Sequence, residues 1–263
     1  MWTREELKTR AKAVLRVSYL KAFLISLVIA FVSGGNGSSV RNKINKNATR
    51  WDYNNNSIID FNGGRYNYHI NFDSDIFLHW FGISLGIFIL IILAIAVFRI
   101  FIGYLLEVGG RRYFIHAAQN DADMSNLGYG FNRDRYKGIV LTMLWRGFLN
   151  FLWYLLLIIP GIVKGYAYRM VPYILADNPN IGYNRAIELS VQMTDGEKFN
   201  MFVLDLSFIG WYFLGLLAFG VGVFFVNPYS YGTEAELYLV LRQNALNKGF
   251  CSYEELFRND MLI

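Results

Sequence analysis

Four stretches of this chain are apolar and almost free of charge over lengths that a soluble core element seldom needs: Ala22–Val32, Ile76–Phe98, Gly138–Val163 and Phe202–Val226. A helix requires about 20 such residues to cross roughly 30 Å of hydrocarbon, and no other common architecture uses runs of this length. Composition agrees, since 54% of the residues are hydrophobic and only 17% charged, against about 25% charged in an ordinary soluble domain. The expected class is all-α, a polytopic integral membrane protein of about six transmembrane helices forming a single membrane domain.

The basic N-terminus, "MWTREELKTRAKAVLRVSYLK", precedes the first apolar run. Its length, its two glutamates and the lack of a small-x-small site in "FVSGGNGSSV" make it a retained amphipathic segment (1–16) before a helix at about 17–33. Basic clusters beside membrane helices bias orientation and attract anionic lipid. The net charge of +5 is thereby assigned to membrane biogenesis, and nucleic acid is not expected as a partner. With the basic end in the cytoplasm, residues 34–75 become an external polar loop. Helices at about 76–105 and 137–160 then cross in alternation, and both termini stay cytoplasmic.

The run "LLLIIPGIVKGYAYRMVPYILADNP" carries breakers at Pro160, Gly161 and Pro172. Either the chain turns at Pro160-Gly161 and Ile162–Ala176 returns as a fourth helix, or one helix kinks there. Backbone groups freed at membrane depth need partners, so two helices are preferred. The final third repeats the theme: a long helix meets Asn227-Pro228, and a shorter helix returns. Between these parts, residues 180–197 read as an amphipathic helix on the inner surface, with Gly196 as its stop.

Blocks spread along the chain, "LKTRAKAVLRVSYLKAFL", "LEVGGRRYF", "LWYLLLIIPGIVKGYAYRMVPYILADNP", "AIELSVQMTDGEKFNMFVLDLSFIGW" and "NPYSYGTEAELY", resemble a bacterial family of multi-pass membrane proteins known as domain of unknown function 975. That family is distantly similar to the membrane portion of some glycerophosphodiester phosphodiesterases. The resemblance implies a multi-pass helical protein of the bacterial plasma membrane and supplies no reaction. One departure stands at Tyr104-Leu105, where the family pattern has Asn-Pro, which puts a sharp bend there in doubt.

Chemistry is sparse. The three histidines, His69, His79 and His116, are unpaired at ligand spacing, one cysteine (Cys251) excludes an internal disulfide, and "GYGFNRD" lacks the strand and helix of a phosphate loop. No catalytic residue, metal or cofactor is expected. The stronger signal is polar residues at membrane depth. Arg146 lies nine residues, roughly 13 Å of helix, beyond Lys137, and Asp205 lies seven past Lys198. A charge in hydrocarbon costs at least ~2.5–3.5 kcal/mol and needs a partner or water. Arg146 and Asp205, with Asn150, Arg169 and Glu234, therefore either line a cavity for an anion or lipid head group, or form a structural pair, Arg146–Asp205, with Glu234 as a further acceptor. The structural reading is favoured. Tryptophans and tyrosines, among them Trp145, Tyr166, Tyr173 and Tyr231, are expected as interfacial anchors. The functional expectation is a membrane-organising or accessory protein in envelope or lipid homeostasis or export, with membrane lipids and a membrane protein as partners. A small transporter or channel, and a lipid-processing enzyme, are the alternatives.

Overall fold

A computed structural model describes residues 2–32, 74–217 and 222–257; most of the polar 34–75 loop lies outside them. The described residues are helical, without a strand. Four helical stretches are long and apolar enough to cross a membrane: Arg4–Ala30, His79–Ala118, Arg133–Leu156 and Lys198–Leu217. The chain divides into two compact units, residues 37–96 and the remainder. In the smaller unit the described element is the start of α2 (Ser74–Phe98), exposed at every position from His79 onward.

In the larger unit α1 covers Arg4–Val32 and is kinked at Ser18, which has φ −127° and ψ 25°. The Ser18 hydroxyl donates to Val14 O at 3.1 Å, and such back-bonding to the preceding turn bends helices. On both sides of the kink one stripe is buried: Leu7, Ala11 and Leu15 before it, Ala22, Ile25 and Ile29 after it. This 3–4 residue spacing is what one helix face presents to a core. The stripe meets α9 (Gly222–Asn247) and α3 (Tyr104–Ala118).

α3 is the central helix, with eleven of its residues buried. The backbone enters it from α2 through a π-helical turn, Arg99–Gly103, and stays helical across Tyr104-Leu105, so no sharp bend occurs there. A 3-10 segment, Met124–Phe131, packs on α3 and leads to α4 (Arg133–Leu156). Asn132 caps α4, its side chain accepting from the Asp134 amide, which satisfies one of the orphan donors of a first turn.

The alternative of kink or turn resolves as a hairpin, but not at Pro160-Gly161. Leu157 is extended (φ −159°, ψ 144°) and separates α4 from α5 (Ile158–Ala167), which packs back along α4. Pro160 sits in the first turn of α5, where a missing N–H costs nothing. Gly161 is needed for the close approach, because a Cβ there would stand 2.5 Å from Cδ1 of Tyr154. The return limb is not one helix over Ile162–Ala176. It is α5 followed, across Tyr168–Met170, by the short α6 (Val171–Asp177), with Pro172 again in a first turn.

α7 (Tyr183–Met193) follows, burying Ala186, Leu189, Ser190 and Met193, and Gly196 beyond it has φ +77°. α8 (Lys198–Leu217) then forms a hairpin with α9. Asn227-Pro228 does not break this limb: α9 runs through Pro228 from Gly222 to Asn247. The two helices meet instead at Gly215 and Gly222, where a Cβ on either would come within 2.8 Å of the other's backbone. A single proline removes one helical hydrogen bond and kinks a helix, whereas two facing glycines permit a backbone crossing that no side chain would allow. α10 (Tyr253–Phe257) is held by Arg185, whose guanidinium donates to Glu255 at 2.6 Å and to Phe250 O.

A buried charged network as the candidate functional site

Five elements deliver charge to one place. α3 supplies Glu107 and Arg111, one turn apart on one face; α4 supplies Arg146; the break between α5 and α6 supplies Arg169; α8 supplies Asp205 and α9 supplies Glu234. The break matters because it frees Arg169 from a helical position. Its backbone is clamped by Ser190 of α7, whose hydroxyl donates to Ala167 O at 2.7 Å and accepts from the Met170 amide at 3.2 Å. The carbonyl and amide left unpaired by the interrupted helix are satisfied in this way.

Arg169 is the hub. It donates twice to Asp205, at 2.7 and 2.9 Å, and once to Glu234 at 2.7 Å, a planar fork gripping a carboxylate as only arginine can. Tyr166 donates to the same Asp205 oxygen at 2.8 Å. Glu234 also accepts from Arg111 and from the Tyr173 hydroxyl, each at 3.0 Å. The Arg111 guanidinium lies 4.5 Å from the centroid of the Tyr231 ring. Three guanidiniums, of Arg111, Arg146 and Arg169, face three carboxylates, so the network is neutral as a whole.

The expected Arg146–Asp205 pair is replaced by two others. Arg146 Nη1 lies 3.7 Å from Glu107, a longer contact than a hydrogen bond, while Asp205 belongs to Arg169. Asn150 stands apart, with its Oδ1 buried and unpartnered and 3.8 Å from where a Gly165 Cβ would be. Glu234 and Arg169 are brought together. Residues not anticipated as network members are Glu107 and Arg111, within "LEVGGRRY", and Tyr173. Glu107 and Arg111 at i, i+4 directly after an apolar run were a legible signal, obscured because a double arginine beside an apolar run reads first as a charge flanking a membrane helix. Tyr173 and Tyr231 are buried against Arg111 instead of anchoring at an interface.

A second cluster adjoins the first through stacked rings of Tyr173 and Tyr238, 5.2 Å apart. There Asp177 accepts from Tyr238 at 2.6 Å and from Arg242 at 2.9 Å. Chemically, Asp205, Glu234 and Asp177 are each engaged by arginine and tyrosine donors, which fixes helices, while Glu107 has only the 3.7 Å contact of Arg146. Among the described residues no group of three or more His, Cys, Asp or Glu converges to hold a metal. Two cavities are lined elsewhere: a void of about 10 Å³ between α1, α3 and α9, and an open groove of about 560 Å³ beside Arg10 and Glu236.

Residues 154–245 match the family model described as protein of unknown function DUF975. The matched segment runs from the end of α4 to most of α9 and contains Arg169, Tyr173, Asp205 and Glu234, four of the residues that build the network. No curated protein and no solved structure matches the chain, and the distant similarity to glycerophosphodiester phosphodiesterases finds no counterpart.

Proposed function

For a chain whose residues 154–245 carry the DUF975 match, we propose a non-catalytic, membrane-resident organising or accessory role in envelope or lipid homeostasis or export. It acts in the bacterial plasma membrane with both termini cytoplasmic, through lipids and a membrane-protein partner. One observation carries this reading: Asp205 and Glu234, the carboxylates at the centre of the network, are spent on arginine and tyrosine donors. Arg169 is held between Asp205 and Glu234, and Glu234 between Arg169, Arg111 and Tyr173. A transport site needs groups that exchange partners with a solute, and a lipid-processing site needs a carboxylate available for proton transfer. Outward, the same helices present apolar side chains such as Phe151, Leu155, Ile209 and Leu214, a surface suited to acyl chains or to another membrane helix.

The transporter reading retains one support. Asp205 is the open edge of the network, with 37% of its side chain exposed. Liposomes containing the purified protein separate the two. The organising role expects ion and solute flux, and hydrolysis of added phospholipid, no greater than for Arg169→Leu. Flux that is present in the parent protein and abolished by Asp205→Asn refutes it.

A further inference from the structure

The tip of the α4–α5 hairpin is five consecutive aliphatic residues, Leu155–Ile159, each at least 62% exposed. A hairpin that crossed the bilayer would deliver this tip to the far aqueous face, where such a run has no reason to be. The exposed part of the return limb, α5, is also too short to cross, since all seven residues of α6 beyond it are buried in the protein. α5 has 10 residues, about 15 Å at 1.5 Å per residue, against roughly 30 Å of hydrocarbon. Its base is tied to a polar stretch of chain: the buried Ala167 O, its last carbonyl, accepts from the hydroxyls of Ser190 and Thr194 at 2.7 and 3.4 Å. The next residue, Asp195, has 81% of its side chain exposed and pairs with Lys198.

The start of α5 leaves few amide donors unpaired, as hydrocarbon favours. A helix start leaves four amide donors unpaired. Here the Leu157 amide donates to Trp153 O, the Gly161 amide donates to Leu157 O, both at 3.1 Å, and Pro160 has no N–H. Only the amides of Ile158 and Ile159 remain in that turn. Non-helical backbone at membrane depth survives only where its polar groups are satisfied or few. Lys164, about 5 Å of helix above Ala167, has its ammonium 4.9 Å from the Trp153 ring centroid and is near enough to the base to reach the head groups.

We infer that α4–α5 is a re-entrant hairpin: it enters the hydrocarbon, turns at Leu157 within it, and leaves by the face it entered, so that its tip contacts the acyl chains of the bilayer interior. The inference rests on the membrane-resident reading above and adds a depth and a sidedness to it.

The test uses full-length protein in a Cys251→Ser background with one cysteine at a time: Ile158→Cys at the tip, Lys137→Cys and Asn180→Cys at the base. An impermeant maleimide is applied to right-side-out and inside-out vesicles, with total thiol read after detergent denaturation. Lys137→Cys and Asn180→Cys are expected to label from one common side, and Ile158→Cys from neither until denatured. A nitroxide at Ile158 is expected to be more accessible to oxygen than to a water-soluble nickel complex, at a depth near the bilayer centre. Labelling of Ile158→Cys from either side, or a nitroxide depth at the opposite head groups, overturns the inference. Extraction of the protein by alkaline carbonate would instead refute the membrane residence on which it stands.

Discussion

The Arg169→Leu substitution distinguishes the observed network from the pairing expected between Arg146 and Asp205. Arg169 makes three charge-assisted hydrogen bonds of 2.7–2.9 Å. Its loss leaves Asp205 with Tyr166 alone and Glu234 with Arg111 and Tyr173. Removing one member of a buried pair costs about 3–5 kcal/mol, and the loss here stands toward the lower end, because Asp205 is partly exposed and Glu234 keeps two donors. At about 2–4 °C per kcal/mol for a chain of this size, the midpoint falls by roughly 6–20 °C. Adding Asp205→Leu removes the stranded charge, so the double variant should recover about 1–3 kcal/mol relative to the summed single losses. The parallel cycle with Arg146→Leu and Asp205→Leu should be additive within about 0.5 kcal/mol, since Arg146 faces Glu107 at 3.7 Å. Thermal unfolding in detergent, followed by tryptophan fluorescence, measures both cycles. A coupling between Arg146 and Asp205 equal to or larger than that between Arg169 and Asp205 would refute the assignment.

Other expectations are simpler. Gly161→Ala places a methyl group 2.5 Å from the Tyr154 ring and should destabilise by about 1–3 kcal/mol, with partial recovery when Tyr154→Ala is added; the same melts report it. Tyr173→Phe removes the hydrogen bond donated to Glu234 and the one accepted from Arg111 and should lower stability by about 1–3 kcal/mol without changing the helix content measured by circular dichroism. Glu255 lies in α10, outside the membrane-spanning helices, and the hydrogen bond from Arg185 holds its carboxyl below the usual glutamate range. Its contribution to anchoring α10 is therefore complete above the ordinary value of about 4.3 and disappears as pH falls through the depressed one. Hydrogen exchange in 253–257 should rise on acidification below that range, and Glu255→Gln should abolish the dependence. Pro228→Ala should leave the midpoint unchanged or raise it, as α9 is already continuous there; a loss above about 1 kcal/mol would mean that packing requires the proline kink.

Length and polarity made the long helices legible, because hydrocarbon thickness imposes a minimum run that the sequence cannot disguise. Composition also drew attention to Arg146, Arg169, Asp205 and Glu234 as charges needing partners. Who partners whom was hidden, since that depends on how α3, α4, α8 and α9 are rotated against one another, and rotation is decided by many side chains at once. Proline proved a marker of neighbourhood more than of position. Pro160 and Pro172 occupy first turns and so mark where helices have just begun, three residues after the reversal at Leu157 in the first case. Pro228 is carried inside α9. The contact between Gly215 and Gly222 becomes visible only when both backbones are placed.

The first and last long helices of the chain lie side by side, with the Tyr19 hydroxyl donating to Phe225 O and Gly232 placed against Ala11. A ribosome extending the chain at about 5–20 residues per second needs on the order of ten to forty seconds between releasing α1 and supplying α9. Throughout that interval the face of α1 that carries Ala11 and Tyr19 lacks the neighbour that later covers it. The nascent chain consequently exposes that face until α9 has been made, and a truncation before α9 would leave its oldest helix without a mate.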